Sequence, residues 1–230
     1  MSQLRTVGFT AHPKYKLLEG LAPRDHDRVL GAAAIRRFPA ETIITTQGSS
    51  ADHVYLVLSG CVRFFYTSPD GRKFLLIWLA PGEAFGGAAI MGKPGSYFMS
   101  CETVKESKVL VWDRPTIRGF ADKFPQIMDN ALAIAADYVT WYMAAHVALS
   151  CHTARERLAR VLLNLSLAIG EKVSEGIEIA VTNEDLSNAA NITHYTTSRL
   201  MSGWQKDRTI LKRRGAIVLR SAERLILRTV

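Results

Sequence analysis

From about residue 54 the apolar positions come in short runs broken by turn residues. Val54-Tyr55-Leu56-Val57-Leu58 is a β-prone run closed by Ser59-Gly60, and Cys61-Val62-Arg63-Phe64-Phe65-Tyr66 follows it. Ser68-Pro69-Asp70-Gly71 then marks a turn, because Pro fixes φ and Gly supplies a positive one. Phe74-Leu75-Leu76-Ile77-Trp78-Leu79 is a further strand ending at Pro81-Gly82, and Val109-Leu110-Val111-Trp112 is the last. Short strands with turn signals at this spacing predict a sandwich or barrel within residues 17–113.

The period then changes. Pro115 suits the first turn of a helix. Beyond Pro125 the apolar residues Ile127, Ala131, Ile134, Tyr138, Trp141, Ala145 and Leu149 recur every three or four positions without a glycine. That stripe predicts a long helix over residues 115–150, packed on a partner or on the chain's own core. A further amphipathic helix is predicted from Thr153 to Ile169, carrying Leu158, Val161, Leu162 and Leu165 and stopped by Gly170. Ile177-Glu178-Ile179 is a brief strand. Thr182 with Asp185 three residues on resembles a capping box and opens a short helix ending near Asn191. Thr193 caps a second helix to about Lys206, so the pair has the form of a helix-turn-helix. Ile210-Leu211, Lys212-Arg213-Arg214-Gly215 and Ala216-Ile217-Val218-Leu219 read as a hairpin with a basic tip.

Charge adds a partner to this picture. Lys and Arg number 29 against 21 Asp and Glu, a balance of +8 with a pI near 9.6. The excess concentrates in residues 194–230, where Arg199, Lys206, Arg208, Lys212, Arg213, Arg214, Arg220, Arg224 and Arg228 face only Asp207 and Glu223. Such a cluster attracts polyanions and suits phosphate contact. The apolar share of 48% across 230 residues supports a full core and excludes a largely disordered chain. Cys61, Cys101 and Cys151 are odd in number and far apart, which argues against a disulfide scaffold and for a reducing compartment. No window offers about 18 uninterrupted apolar residues, so no membrane span is expected. Met1 to Phe9 has no apolar run and does not read as a secretory signal.

Catalytic signatures are absent from the sequence. There is no Gly-x-Ser-x-Gly, Walker loop, dinucleotide fingerprint or cupin-type His-x-His, and Gly86-Gly87 alone is too little to cradle a phosphate. No Cys or His pair has zinc-ligand spacing, so no metal site is expected. A DNA-binding regulator and a β-roll enzyme of cupin type are the two function classes that remain, and salt-dependent duplex binding separates them.

Taken in order, these segments resemble the CRP/FNR family of bacterial transcription regulators. The glycine pattern of the family's β-roll appears as Gln47-Gly48, Asp52 to Tyr55, Leu58-Ser59-Gly60, Asp70-Gly71 and Pro81-Gly82-Glu83-Ala84-Phe85-Gly86. Residues 159–165 resemble the first helix after the family's dimer helix, residues 182–204 its helix-turn-helix, and residues 210–219 its wing. The resemblance implies an α+β chain with three parts. Residues 1–114 form a double-stranded, jelly-roll-like sensor β-roll, residues 115–150 a dimerisation helix, and residues 151–230 a winged helix-turn-helix. It further implies a cytoplasmic homodimer, with Ile134, Tyr138, Trp141, Ala145 and Leu149 at the dimer contact. The dimer would bind palindromic double-stranded DNA, with RNA polymerase as a partner and no membrane.

The second helix of such a motif places its first turn against base edges. His194, Tyr195, Ser198 and Arg199 share that face in helical register. Arg199 matches the family's arginine and suits guanine O6 and N7, while Ser198 matches the serine of the FNR branch. Tyr195 stands where that branch has a glutamate, and a phenol cannot accept from a cytosine amine as a carboxylate does. Thr193 and Thr196 suit phosphate oxygens, as do Lys212, Arg213 and Arg214 at the wing tip.

The expected sensor pocket comprises Gly86, Gly87, Ala88, Phe98, Met99, Ser100, Tyr142 and His146. Cyclic-AMP-binding relatives hold the ribose with a Glu and the phosphate with an Arg. Gly87 and Phe98 stand at those places, and a buried phosphate without a cation is unfavourable. Tyr142-Met143 replaces the Thr-Ser pair that meets adenine. Cyclic AMP is therefore disfavoured, and an apolar effector or a pocket filled by its own side chains is expected instead. The FNR-type iron–sulfur cluster is disfavoured because no cysteine precedes Cys61. No cofactor is predicted, with haem held by His146, His53 or Met91 as the alternative.

Overall fold

The computed structural model describes residues 15–93 and 95–227. The first residues of the sensor segment and Arg228 of the basic tail lie outside the described residues. Contacts divide the described chain into two units, residues 15–146 and 147–227, each considered by itself.

The first unit opens with a 3-10 turn at Lys16–Leu18 and α1 (Pro23–Gly31). The strands follow as β1 (Ala34–Phe38), β2 (Ile43–Thr45), β3 (His53–Thr67), β4 (Lys73–Leu79), β5 (Ala84–Phe85) and β6 (Ser100–Asp113). A 3-10 turn at Gly87–Ile90 separates the last two. Pairing is antiparallel throughout, in the order β1-β6-β3-β4, with β2 also on β6 and β5 on β3.

Residues 54–57 of β3 and 109–112 of β6 are covered on both faces, which explains why these stretches are apolar without a break. Val54, Leu56, Leu110 and Trp112 pack with Leu17, Leu18, Val29, Ile117 and Ile127 beneath the helices. Their neighbours Tyr55, Val57, Val109 and Val111 point the other way, into the roll. Trp112 Nε1 donates to the Val29 carbonyl at 2.7 Å, so the indole is buried with its polar atom satisfied.

Ser59-Gly60 does not end a strand. β3 runs through it on a series of register shifts between Val57 and Val62. Gly60 takes φ +93°, and a Cβ there would lie 2.3 Å from Ser107 Oγ. That hydroxyl accepts from Cys61 N and donates to Cys61 O, both at 3.1 Å, and so satisfies the bulged backbone.

The expected single helical segment is two helices divided at Phe124-Pro125. α2 (Arg114–Lys123) starts at an Asp113 cap that accepts from Thr116 N at 2.9 Å. α3 (Pro125–Cys151) has 27 residues. By length and a mean hydropathy of 1.2 it is long and apolar enough to cross a bilayer. Asp129 and Asp137 interrupt that apolar sequence, however, and Ile127 is fully buried against the roll. Asn130 Nδ2 donates to the carbonyls of Leu17 (3.1 Å) and Glu19 (2.8 Å), and Lys16 pairs with Asp137, which ties α3 to the start of the described chain.

The second unit contains α4 (Ala154–Ala168), β7 (Glu171–Val173), β8 (Gly176–Ile179), α5 (Asn183–Ala190), α6 (His194–Lys206), β9 (Ile210–Arg213), β10 (Ala216–Leu219) and α7 (Ala222–Leu227). Its antiparallel sheet runs β7-β8-β10-β9. Leu158, Leu162, Ile179, Leu186, Met201 and Trp204 are all fully buried and form its interior. Thr153 with Glu156 and Thr182 with Asp185 are reciprocal capping boxes, so both helix starts are fixed locally.

Candidate DNA-binding face and sensor pocket

α6 is fixed by one face and one cap. Thr197, Met201 and Trp204 are buried, and the Thr193 hydroxyl accepts from Thr196 N at 3.1 Å. The Thr193 and Thr196 hydroxyls also lie 2.9 Å apart. At about 100° per residue, the opposite face carries Tyr195, Arg199, Ser202 and Lys206 in one row, all exposed. His194 is exposed beside this row and Ser198 is half-buried at its edge. Ser202 was not anticipated from the sequence, and Lys206 was anticipated only as part of the basic cluster; extending the helical register by two turns would have placed both on this row.

The turn before α6 is set by Asn191, whose φ of +48° ends α5, and by Ile192 N donating to Ser187 O at 3.0 Å. Arg157 of α4 holds the same turn. Its Nε donates to Ala190 O (2.9 Å), its Nη2 to Asn191 O (3.2 Å) and its Nη1 to His152 O (2.8 Å). Arg155 lies over the Trp204 ring, 5.2 Å from its centre. No local pattern marks either arginine, because their partners are distant in sequence.

The wing is the β9–β10 hairpin, with Arg213 opposite Ala216 and Arg214-Gly215 at its tip. Its three basic residues are not equivalent. Lys212 Nζ donates to Ser202 Oγ at 3.1 Å, joining wing to helix. Arg214 is exposed at the tip. Arg213, expected on phosphate, is instead gripped by Glu175 and Glu178, and Arg220 reaches Glu175 at 3.0 Å. The hydrogen bond that Arg213 donates to Glu178, with both carboxylate charges, raises the Arg213 pKa. Between this hairpin and the start of α5 lies a shallow cavity of about 250 Å³, lined by Val181, Thr182, Asn183, Lys212 and Gly215 among others.

In the roll, the expected pocket residues part company. Gly86 takes φ +83°, and a Cβ would sit 2.5 Å from His53 O, so only glycine fits there. Ala88 and Met99 pack on the interior, and Ser100 is buried with its Oγ accepting from Gln47 N at 3.0 Å. Gly87 and His146 are exposed. Phe98 is 75% exposed and Tyr142 61%, so neither ring enters the interior.

Other aromatic rings pack in the interior of the roll. Tyr55 stacks on Phe85 with centres 4.7 Å apart, and Phe64 meets Phe85 edge-on at 5.7 Å and Tyr138 at 6.1 Å. Tyr138 Oη donates to Ala84 O at 3.3 Å. Tyr97 Oη donates to His53 O and accepts from His53 N, each at 3.0 Å. Burial raises the pKa values of Tyr55 and Tyr138, keeping both phenols neutral. Burial likewise pushes the Cys61 thiol up to about 12, so it is an unreactive core group. The rim segment after Gly87 is pinned from α2. Arg114 donates to the carbonyls of Ala89 (2.7 Å), Met91 (2.9 Å) and Gly92 (3.1 Å), and Arg118 donates to that of Ile90 (2.8 Å).

The stripe expected at a dimer contact turns inward for much of its length. Ile134 packs on the helix-side core, and Tyr138 and Trp141 pack on the roll interior. Ala145 is half-buried and Leu149 exposed. A second apolar face stays open instead, with Leu132, Val139 and Met143 each about 60% exposed. α3 is apolar on both sides, and periodicity alone selected the side that its own chain covers.

Residues 35–124 match the cyclic nucleotide-binding domain and residues 156–228 the Crp-like helix-turn-helix domain. The chain belongs to the CRP/FNR family of transcription regulators. It is 27% identical over 206 residues to the cyclic AMP receptor protein of Thermus thermophilus, covering 90% of this chain and 93% of that one. It is 28% identical over 215 residues to the nitrogen fixation regulation protein FixK of Azorhizobium caulinodans, covering 91% and 81%. FixK2 from Bradyrhizobium japonicum shares the fold, with a TM-score of 0.73, 24% identity and coverage of 85% and 96%. The chain is thus a DNA-binding transcription regulator and not an enzyme, which sets the cupin-like alternative aside.

Proposed function

We propose that this regulator acts in the cytoplasm as a homodimer on a two-fold-related DNA site, without a cyclic nucleotide or other resident cofactor in its roll. The exposed row Tyr195, Arg199, Ser202 and Lys206 carries the reading of the DNA. It is a polar, basic surface on a helix whose other face is fully occupied. Arg199 takes guanine O6 and N7, with His194 and Ser198 at the margin of the same contact. Thr193, Thr196, Lys212 and Arg214 hold backbone phosphates. The family's work in transcription makes RNA polymerase the protein partner.

The open face of α3 supports the dimer. Leu132, Ala136, Val139 and Met143 are spaced four, three and four residues apart, which is the seam of a two-stranded coiled coil. The self-filled interior supports the absence of a nucleotide. Tyr55, Phe64, Phe85 and Tyr138 occupy the roll, and the ribose and phosphate partners are replaced by Gly87 and Phe98.

Two measurements test this reading. Sedimentation at micromolar concentration should show a dimer that Val139→Asp disrupts; a wild-type monomer refutes the seam. Arg199→Ala should cost about 1–3 kcal/mol per half-site and relax preference at one base pair. Uniform weakening on every sequence would remove Arg199 as a base reader.

A further inference from the structure

Tyr195 is 76% exposed, the largest value among the large apolar side chains described. Its ring stacks on no other described ring, and its hydroxyl has no hydrogen-bond partner among the described residues. Nothing in the fold needs it there. The cap is Thr193, and the buried face is Thr197, Met201 and Trp204. An aromatic ring held in water at the first turn of α6 is ready to meet something apolar beyond the protein.

The major groove offers one apolar feature, the 5-methyl group of thymine. We infer that Tyr195 reads that methyl through its ring face, and so sets the base preference of this regulator at a position next to the one read by Arg199. The inference rests on the reading of α6 as the base-contacting helix. Tyr195 and Arg199 are four residues apart on one face, about 6 Å along the helix. Base pairs are stacked about 3.4 Å apart, so the thymine lies within two base pairs of the guanine that Arg199 takes. A carboxylate at position 195 would favour a cytosine amine; the phenol cannot, and its apolar ring favours the base that carries a methyl. Burying one methyl group corresponds to about a fourfold gain in affinity per half-site, or about fifteenfold over both halves of a two-fold site.

The test uses the full-length protein and duplex DNA. A half-site is first selected from a random library with wild type. Each thymine of that site is then replaced in turn by deoxyuridine, which removes only the methyl. Replacement at one thymine, within two base pairs of the Arg199-dependent guanine, should weaken wild type by about four- to fifteenfold. It should leave Tyr195→Ala, already weakened by that amount, unchanged. Tyr195→Phe keeps the ring and should behave as wild type. Three results overturn the inference while leaving the regulator reading intact. They are no deoxyuridine effect at any position, a selected half-site without thymine in that window, and Tyr195→Phe losing as much as Tyr195→Ala, which would assign the contact to the hydroxyl. Failure of wild type to select any sequence would overturn base reading by α6 and this inference with it.

Discussion

Phe85→Ala probes whether the roll is filled by its own side chains. Phe85 is 4% exposed, stacked on Tyr55 and met edge-on by Phe64, so truncation removes a ring contacted on two sides. The rim cannot easily collapse onto the gap, because Arg114 and Arg118 hold residues 89–92 by their carbonyls. A buried Phe→Ala change of this kind costs about 3–5 kcal/mol. For a unit of this size that lowers the calorimetric Tm by about 10–20 °C. The cavity left behind would be apolar and dry, as such cavities are, and would accept a small aromatic molecule. Saturating benzene should therefore raise the Tm of Phe85→Ala and not that of wild type. A drop below about 3 °C, or benzene stabilising both proteins alike, would mean that the interior of the wild-type roll is open, and the self-filled reading would fail.

Titration calorimetry with cyclic AMP should show no binding heat at micromolar concentrations; a measurable micromolar Kd would refute the proposed exclusion. Restoring Gly87→Glu with Phe98→Arg should not create binding either, since Tyr55 and Phe85 still occupy the roll. At the wing, Arg214→Ala should lower the slope of log affinity against log salt by about 0.9, whereas Arg213→Ala should change it far less because Glu175 and Glu178 already neutralise that residue. Glu175→Gln with Glu178→Gln should strengthen non-specific DNA binding, and unchanged affinity would refute the screening. The half-buried carboxyl of Glu83 is pushed up to about 7 by burial, against the opposing hydrogen bond from Ala80 N and the charge of Lys16. The folded state then binds more protons than the unfolded one between about pH 4.5 and 7, so stability is greatest below that window and falls as pH rises through it. Thermal melts across this range should lose that slope in Glu83→Gln.

Much of the second unit was legible because its boundaries are local. Thr153, Thr182 and Thr193 each cap the helix they precede through a bond three residues on. The first unit hid more. The half of β6 from Ser100 to Lys108 is rich in polar residues and did not read as a strand. Yet Glu102 is buried there, held by Arg63 Nε at 2.7 Å and near Lys73 at 3.6 Å. Gly60 looked like a stop because a glycine that permits a bulge and one that ends a strand are the same letter. The pocket misled for a related reason. Position in a motif placed Phe98 and Tyr142 inside, but which aromatic ring fills a roll is decided by packing across strands that are distant in sequence. Arg213 read as a free cation because its carboxylates lie on the neighbouring hairpin.

Arg157 has a mechanical consequence. One guanidinium spans the backbone just past the end of α3, at His152, and the backbone at the end of α5, at Ala190 and Asn191. The two-residue link between α3 and α4 therefore has little slack with respect to the turn that aims α6. The end of α3, the start of α4 and the turn before α6 are thereby held to one another by a single side chain. Lys212 adds a bond from the wing to α6 through Ser202. Within this unit the turn, the helix it precedes and the wing hairpin are thus tied together by side chains of α4 and β9 as well as by the backbone.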